Sequence, residues 1–128
     1  ITRGGNLTII CWGAMVQKSI EAAQQVSKNR NIIEIIDVRT LNPIDYDTIK
    51  DSISKTGKVL VVYEDNLTNG PGAELCSVIA DRYFEYLDGP IKRVASKDSP
   101  VPNNWFLEDE VLVQVSDISN AIRELLEY

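Results

Sequence analysis

The sequence has no histidine and only two cysteines among its 128 residues. Without histidine it cannot form a Ser-His or Cys-His nucleophile pair, and two cysteines alone cannot complete a zinc site. An active site formed entirely within this chain would therefore depend on carboxylates, lysine or tyrosine.

The two cysteines, Cys11 and Cys76, lie among apolar neighbours in a predicted strand and a predicted helix. Free cysteine in such surroundings behaves as a small buried hydrophobe in a reducing compartment. We interpret both residues in this way, and a reactive thiol is the alternative.

Basic residues are scarce: 13 Lys and Arg stand against 19 Asp and Glu, so the formal net charge is −6 and the pI is near 4.6. Nucleic acids and anionic membranes are bound by clustered basic side chains, which this sequence lacks. No apolar run approaches the ~20 residues of a membrane span, and no charged-then-apolar leader opens the chain. We expect a soluble protein with neither nucleic acid nor membrane as a partner.

Short apolar runs alternate with amphipathic segments. Strands are predicted near residues 7–12, 32–38, 58–63 and 91–95, and helices near residues 14–28, 45–55, 73–87 and 117–128. Asp45 is placed to cap the second helix, and Gly57 to end it in the left-handed conformation. Strands that are apolar on both faces and alternate with helices indicate a mainly parallel sheet covered on both sides. The prediction is one α/β domain over residues 1–128, with a three-layer α/β/α architecture.

The loop after the third strand contains Gly70-Pro71-Gly72, a pattern that suggests a phosphate cradle. Such a cradle uses glycines that let N–H groups approach an anion at a helix start. Pro71 removes one of those N–H groups, and Glu64 and Glu74 would repel phosphate. We therefore reject a cofactor-phosphate site in this loop.

Asp37 and Arg39 flank Val38 and point to the same side of an extended chain. They are placed to pair with one another or with a neighbouring domain. No spacing singles out a pair of carboxylates for hydrolysis.

The stretch "IIDVRTLNPIDYDTIKDSISKTGKVLVVYED" resembles the carboxyl-terminal transketolase-type domain. More narrowly, it is similar to the β subunit of the thiamine-diphosphate-dependent decarboxylating component of 2-oxo acid dehydrogenase complexes, such as the pyruvate and branched-chain enzymes. The resemblance begins with "NLTIICWGAMVQKSIEAA" and, after the stretch above, continues through "GPGAEL", "YLDGPIKRVASKDSPVP" and "LEDEVL". These segments match in order and cover essentially the whole chain. The departures are Pro71, where the family usually has a bulkier apolar residue, and "PNNWF" after Pro102.

This resemblance implies a mostly parallel five-stranded sheet with one antiparallel edge strand, truncated here to residues 1–4. In the family, thiamine diphosphate and magnesium bind through a Gly-Asp-Gly…Asn-Asn motif on the α subunit, and a glutamate in the β subunit's preceding domain engages the pyrimidine ring. This chain contains no Gly-Asp-Gly. The resemblance thus implies that it is the last third of a β subunit, without the pyrimidine-binding domain and with no catalytic, cofactor-binding or metal residue. The parent enzyme would be an oxidoreductase, and the isolated domain inactive.

The resemblance also implies partners: the α subunit, a second β subunit and the dihydrolipoyl acyltransferase. Asp88 and the carboxylate of Tyr128, provided that Tyr128 is the native end, match the positions that receive the acyltransferase's basic docking domain. The alternative is that Asp88 only shapes the turn before Gly89-Pro90. The corner that faces the preceding domain and a partner subunit would contain Arg39, Glu64, Gly70, Gly72 and Glu74.

A different class of function stays open, namely a free-standing flavodoxin-like module that binds a small ligand or acts as a receiver. A receiver needs an acidic pair after its first strand, whereas this strand ends in Cys11, Trp12 and Gly13. The sequence leaves open which 2-oxo acid the parent enzyme uses. We expect a bacterial cytoplasmic protein, with the mitochondrial matrix or a plastid as alternatives.

Overall fold

The computed structural model describes residues 4–28, 31–39, 44–66, 71–96 and 113–128. Within these ranges the chain forms four strands and four helices, with a short 3-10 helix at Phe84–Tyr86. The strands are β1 (Leu7–Cys11), β2 (Ile33–Asp37), β3 (Val59–Asn66) and β4 (Ile91–Ser96). The helices are α1 (Met15–Val26), α2 (Tyr46–Thr56), α3 (Pro71–Arg82) and α4 (Val115–Leu126).

The strands form one sheet in the order β2-β1-β3-β4, and every neighbouring pair is parallel. The predicted α/β class and the four predicted strands are confirmed. Of the predicted edge strand at residues 1–4, residues 1–3 lie outside the described part of the chain. Gly4 is buried against the backbone of Ile32 and Ile33, and the Gly5 N–H donates to the Asn31 carbonyl at 2.9 Å. The start of the described chain therefore extends the pairing of β1 with β2, and the antiparallel strand is not seen among the described residues.

Helices cover both faces of the sheet, which makes the predicted three-layer sandwich. Alternate residues of β1 point to opposite faces: Ile9 packs with α1 and α4, and Ile10 packs with α2 and α3. All five β1 side chains are buried, as expected for a central strand with helices on both faces. Burying one such isoleucine or leucine stabilises the fold by roughly 1.5–3 kcal/mol.

Both ends of α2 are built as predicted. The Asp45 carboxylate accepts hydrogen bonds from the Thr48 N–H at 3.2 Å and the Thr48 hydroxyl at 2.7 Å. At the other end, Gly57 has a φ of 72° and its N–H donates to the Ile53 carbonyl at 2.8 Å. Because α2 runs antiparallel to the strands, it links the carboxyl-terminal end of the sheet to the amino-terminal end.

The third helix is shorter than predicted. The apolar pattern predicts one helix from Ala73 to Leu87, but α3 ends at Arg82. Tyr83 leaves the helical conformation, with φ −121° and ψ 17°, and stays buried against the core. The turn that follows exposes Phe84 instead of burying it.

Candidate functional site

The predicted site residues separate onto opposite ends of the sheet. Arg39 follows β2, Glu64 lies in the last part of β3, and Gly72 and Glu74 lie in the first turn of α3. Asp88 and Tyr128 lie at the opposite end, just before β4 and just after α4. Gly70, also predicted in the corner, lies outside the described residues. The "PNNWF" segment lies outside them as well.

At the carboxyl-terminal end, an aromatic pair connects the two central strands. Trp12 follows β1 and Tyr63 lies in β3; their rings stack with centroids 5.6 Å apart and planes 13° apart. The chain passes from β1 to β2 on one side of the sheet and from β3 to β4 on the other, so the topological switch point lies between β1 and β3. Open α/β sheets bind ligands at such a point. Here the fully buried Tyr63 and the half-buried Trp12 lie at that point.

Gly72, the second glycine of the Gly-Pro-Gly motif, allows close packing against Tyr63. A Cβ atom added at Gly72 would lie 2.1–2.4 Å from the Tyr63 ring, far inside van der Waals contact. The glycine therefore lets the first turn of α3 lie directly on the aromatic ring. This close packing supports the rejection of a phosphate cradle; that Gly72, Glu64 and Glu74 face another domain stays a prediction.

Asp37 and Arg39 pair with one another, one of the two options that the sequence leaves open. The Arg39 Nε lies 3.9 Å from the Asp37 Oδ2, and the Arg39 side chain is 86% exposed. An exposed ion pair of this length stabilises the fold very little. Beside it, residues of β2 and α2 line a cleft of about 340 Å³. The Arg39 side chain thus extends from this corner towards solvent.

At the amino-terminal end, the structure brings Asp88 and Tyr128 into one group. The Asp88 N–H donates to the Gly57 carbonyl at 2.7 Å, and the Lys58 Nζ donates to the main-chain oxygen of Tyr128, also at 2.7 Å. The Tyr128 side chain lies over Gly89, where an added Cβ would meet Tyr128 Cγ at 3.3 Å. We call Gly57, Lys58, Asp88, Gly89 and Tyr128 the amino-end cluster.

Exposed aromatic rings mark this end of the molecule. Among the described residues, the large apolar side chains that are mostly exposed are Phe84, at 74%, and Tyr128, at 65%. Phe84 lies four residues before Asp88, in the connection that leads from α3 to β4. Aromatic side chains are enriched at protein–protein interfaces, so these two rings are candidates for contact with a partner.

The charges around the cluster are mostly acidic. Glu85, Asp88 and Glu127 are exposed. The Lys92 Nζ forms an ion pair with the Glu124 Oε2 at 2.8 Å. The hydrogen bond to Glu124 raises the pKa of Lys92. This surface therefore combines aromatic rings with carboxylates, which suits a partner that is basic and partly apolar.

Sequence reasoning identified Asp88 and Tyr128 but missed Gly57 and Lys58 as their neighbours. The sequence shows Gly57 as a helix terminus, and that prediction is confirmed. Only the tertiary fold, by placing the start of β3 beside the start of β4, brings Gly57 against Asp88.

The surroundings of both cysteines disfavour the thiolate, which is the nucleophilic form. Burial raises the pKa of Cys11 to about 11 and that of Cys76 to about 11. The Cys11 Sγ donates to the Ile36 carbonyl at 3.6 Å and is buried in the core. This agrees with the interpretation of Cys11 as a small buried hydrophobe; Cys76 is half-buried.

The part of the chain that the structure describes contains no group of three or more cysteine or carboxylate side chains placed to hold a metal ion. None of its helices is both long and apolar enough to cross a bilayer.

The fold and the sequence together define the class. Residues 1–118 match the family described as "Transketolase, C-terminal domain", and the chain belongs to that family. Its sequence is 38% identical over 125 residues to the pyruvate dehydrogenase E1 component subunit beta of Staphylococcus epidermidis. That alignment covers 98% of this chain and 38% of the relative.

Other relatives carry the same name. The corresponding subunit of Staphylococcus aureus is 39% identical over 125 residues, with 98% of this chain and 38% of that protein covered. The mitochondrial subunit of Dictyostelium discoideum is 36% identical over 122 residues, with 95% and 34% covered. The chain therefore spans little more than a third of the curated relatives that it matches.

Solved structures share the fold. A split-gene transketolase, described as an inactive beta4 tetramer, superposes with a TM-score of 0.82 at 24% identity, over 98% of this chain and 41% of that one. A 2-oxoglutarate:ferredoxin oxidoreductase from Magnetococcus marinus gives a TM-score of 0.66 at 13% identity, over 98% of this chain and 18% of that one. At these identities the likeness shows the fold alone.

Proposed function

We propose that this chain is the assembly domain of the β subunit of a pyruvate dehydrogenase-type 2-oxo acid dehydrogenase. Its amino-end cluster would receive a basic docking domain of the dihydrolipoyl acyltransferase. The observation that carries this proposal is the grouping of Asp88 and Tyr128 in one exposed, acidic and aromatic surface. The relatives named as pyruvate dehydrogenase E1 beta subunits support the parent enzyme.

The carboxyl-terminal corner would face the parent's preceding domain, the α subunit or the second β subunit. Arg39 supports this assignment, because its exposed guanidinium beside a cleft is available for a charged group on another chain. Glu64 and Glu74 are exposed at the same end and would supply carboxylates. Gly72 would act indirectly, by letting the corner pack closely on Tyr63.

Thiamine diphosphate and magnesium are the cofactors that the family implies, and the described residues of this chain do not fit them. The Trp12–Tyr63 stack lies at the carboxyl ends of the central strands, and the glycine at the start of α3 lies against the Tyr63 ring. We therefore assign both cofactors to other parts of the parent enzyme. On this proposal the chain alone neither binds thiamine diphosphate nor decarboxylates a 2-oxo acid.

The alternative of a flavodoxin-like ligand-binding or receiver module has less support. The strand order suits it, but the Trp12 and Tyr63 rings stack at the switch point between β1 and β3, where such a module would bind its ligand. The relatives come from bacteria and from a mitochondrion. We propose the bacterial cytoplasm, which fractionation of the source cells would test.

The test of docking is a titration of the acyltransferase's basic docking domain against the intact protein that contains this chain. Asp88→Ala should weaken binding by about 1–3 kcal/mol, because it removes one partner of a charged interface pair, and added salt should weaken the wild-type complex. Asp47→Ala is the control, since it removes the same charge from the first turn of α2 at the opposite end of the sheet. An affinity that responds neither to Asp88→Ala nor to salt would remove Asp88 from the interface.

A further inference from the structure

We infer that Gly57 is a positioning residue for Asp88: its missing side chain leaves the space that the Asp88 carboxylate occupies on the amino-end surface. This inference rests on the proposed docking function, because it explains how the acidic group is held where a basic partner would meet it. Gly57 itself need not touch the partner.

The geometry of the two residues leaves no room for a side chain at position 57. A Cβ atom on Gly57 would lie 2.2 Å from Asp88 Oδ2, 2.9 Å from Asp88 Cγ and 3.4 Å from Asp88 Cβ. The Asp88 N–H is meanwhile bound to the Gly57 carbonyl at 2.7 Å. The Asp88 main chain is thus tied to Gly57, and its carboxylate lies directly over the Gly57 Cα.

The Gly57 backbone is held on both sides, so it is poorly placed to move away from an added side chain. Its N–H closes the last turn of α2 by donating to Ile53. The preceding Thr56 hydroxyl shares a 2.7 Å hydrogen bond with the Thr8 hydroxyl of β1 and donates to the Lys58 carbonyl at 3.3 Å. An added Cβ would therefore move the Asp88 carboxylate, because that group ends a rotatable side chain and is exposed.

A second glycine provides a comparison within the same chain. Gly13 also has a positive φ, 63° against 72° at Gly57, so both residues adopt the left-handed conformation. A Cβ at Gly13 would meet nothing within 4 Å. Both positions favour glycine because of their backbone conformation. Of the two, only Gly57 lies against Asp88.

The experiment compares Gly57→Asn with Gly13→Asn in the intact protein. Asparagine is among the residues that best tolerate the left-handed conformation, so both variants should fold. Gly57→Asn should weaken binding of the basic docking domain about tenfold, as expected when one charged interface group is displaced. Gly13→Asn should leave the affinity within about twofold of wild type, because substitutions away from special contacts have small effects. In an Asp88→Ala background, Gly57→Asn should cause no further loss, which is the signature of two residues acting through one contact.

A readout without the partner separates this inference from the proposed function. The Asp88 side-chain carboxyl ¹³C resonance should shift in Gly57→Asn and not in Gly13→Asn, whether or not the docking domain binds. If the wild-type protein fails to bind the docking domain, the proposed function fails while this resonance still tests the Gly57–Asp88 contact. Equal affinities and equal Asp88 resonances in the two variants would overturn the positioning role while leaving docking intact.

Discussion

The two ends of the parallel sheet are built from different kinds of contact. At the carboxyl-terminal end, Trp12 stacks on a buried Tyr63, and Gly72 lies against the same ring. At the amino-terminal end, the Asp88 N–H donates to the Gly57 carbonyl and the Lys58 Nζ donates to the Tyr128 main-chain oxygen, while the side chains of Asp88 and Tyr128 remain exposed.

If the amino-terminal end binds the docking domain, this difference separates a stabilising contact from a recognition surface within one sheet. Close ring packing stabilises the fold around Tyr63. Hydrogen bonds to main-chain atoms hold Asp88 and Tyr128 in place while leaving their side chains available to a partner. Substitutions at the two ends should therefore change different measured quantities.

The largest effect is expected at Gly72. Gly72→Ala would force a methyl group into the Tyr63 ring, and overpacking of this kind costs about 1–3 kcal/mol of the free energy of unfolding. Chemical denaturation of the intact protein would measure this loss, and affinity for the basic docking domain should not change. Gly5→Ala is the control, since Gly5 is exposed and an added Cβ would have only the Asn31 carbonyl oxygen near, at 4.0 Å. Equal stability of the two variants would contradict the packing role of Gly72.

A smaller effect is expected at Phe84, and it should appear in the binding affinity and not in the free energy of unfolding. Its ring is 74% exposed, so Phe84→Ala should change the free energy of unfolding by no more than about 0.5 kcal/mol. If the amino-terminal end binds the docking domain, the same change should weaken binding by about 1 kcal/mol, because exposed aromatic rings at interfaces are frequent anchors. Calorimetric titration measures the affinity, with exposed Gln24 of α1 changed to Ala as the control. A stability loss without an affinity loss would place Phe84 in the fold and outside the interface.

The smallest effect is expected at Asp45, which begins the helix that joins the two ends. The Thr48 hydroxyl and N–H donate to its carboxylate, and the hydroxyl bond is the main cause that lowers the pKa of Asp45. A lowered native pKa means that the charged cap stabilises the fold above the unfolded pKa, about 3.9, and that this contribution disappears as the pH falls through the native value. Asp45→Ala should therefore lower the melting temperature at pH 7, and the difference from wild type should shrink below pH 4.

Thermal melts of both proteins between pH 7 and pH 3 would test the role of Asp45. A difference that stays constant over this range would show that the carboxylate charge contributes nothing to the cap. Docking affinity at pH 7 should be unchanged, because Asp45 lies at the carboxyl-terminal end of the sheet.

Much of the fold follows from local patterns in the sequence. Apolar runs such as Leu7–Cys11 identified the four strands, and Asp45 and Gly57 marked the ends of α2, because caps and hydrophobic periodicity act over a few neighbouring residues. The third helix was predicted too long, since the apolar pattern runs through Tyr83 and Phe84. The pattern alone does not show that Tyr83 leaves the helical conformation and that Phe84 turns out to solvent.

For the candidate site too, some features follow from the sequence and others follow only from the tertiary structure. The sequence by itself determined the class of fold and the absence of histidine chemistry, and through the family resemblance it predicted a docking role for Asp88 and Tyr128. The tertiary structure decided which distant residues meet: Trp12 with Tyr63, Tyr63 with Gly72, and Gly57 with Asp88. The physical reason is that composition, caps and periodicity are properties of neighbouring residues, whereas these contacts depend on the order and register in which the strands pair and on how the helices pack against them.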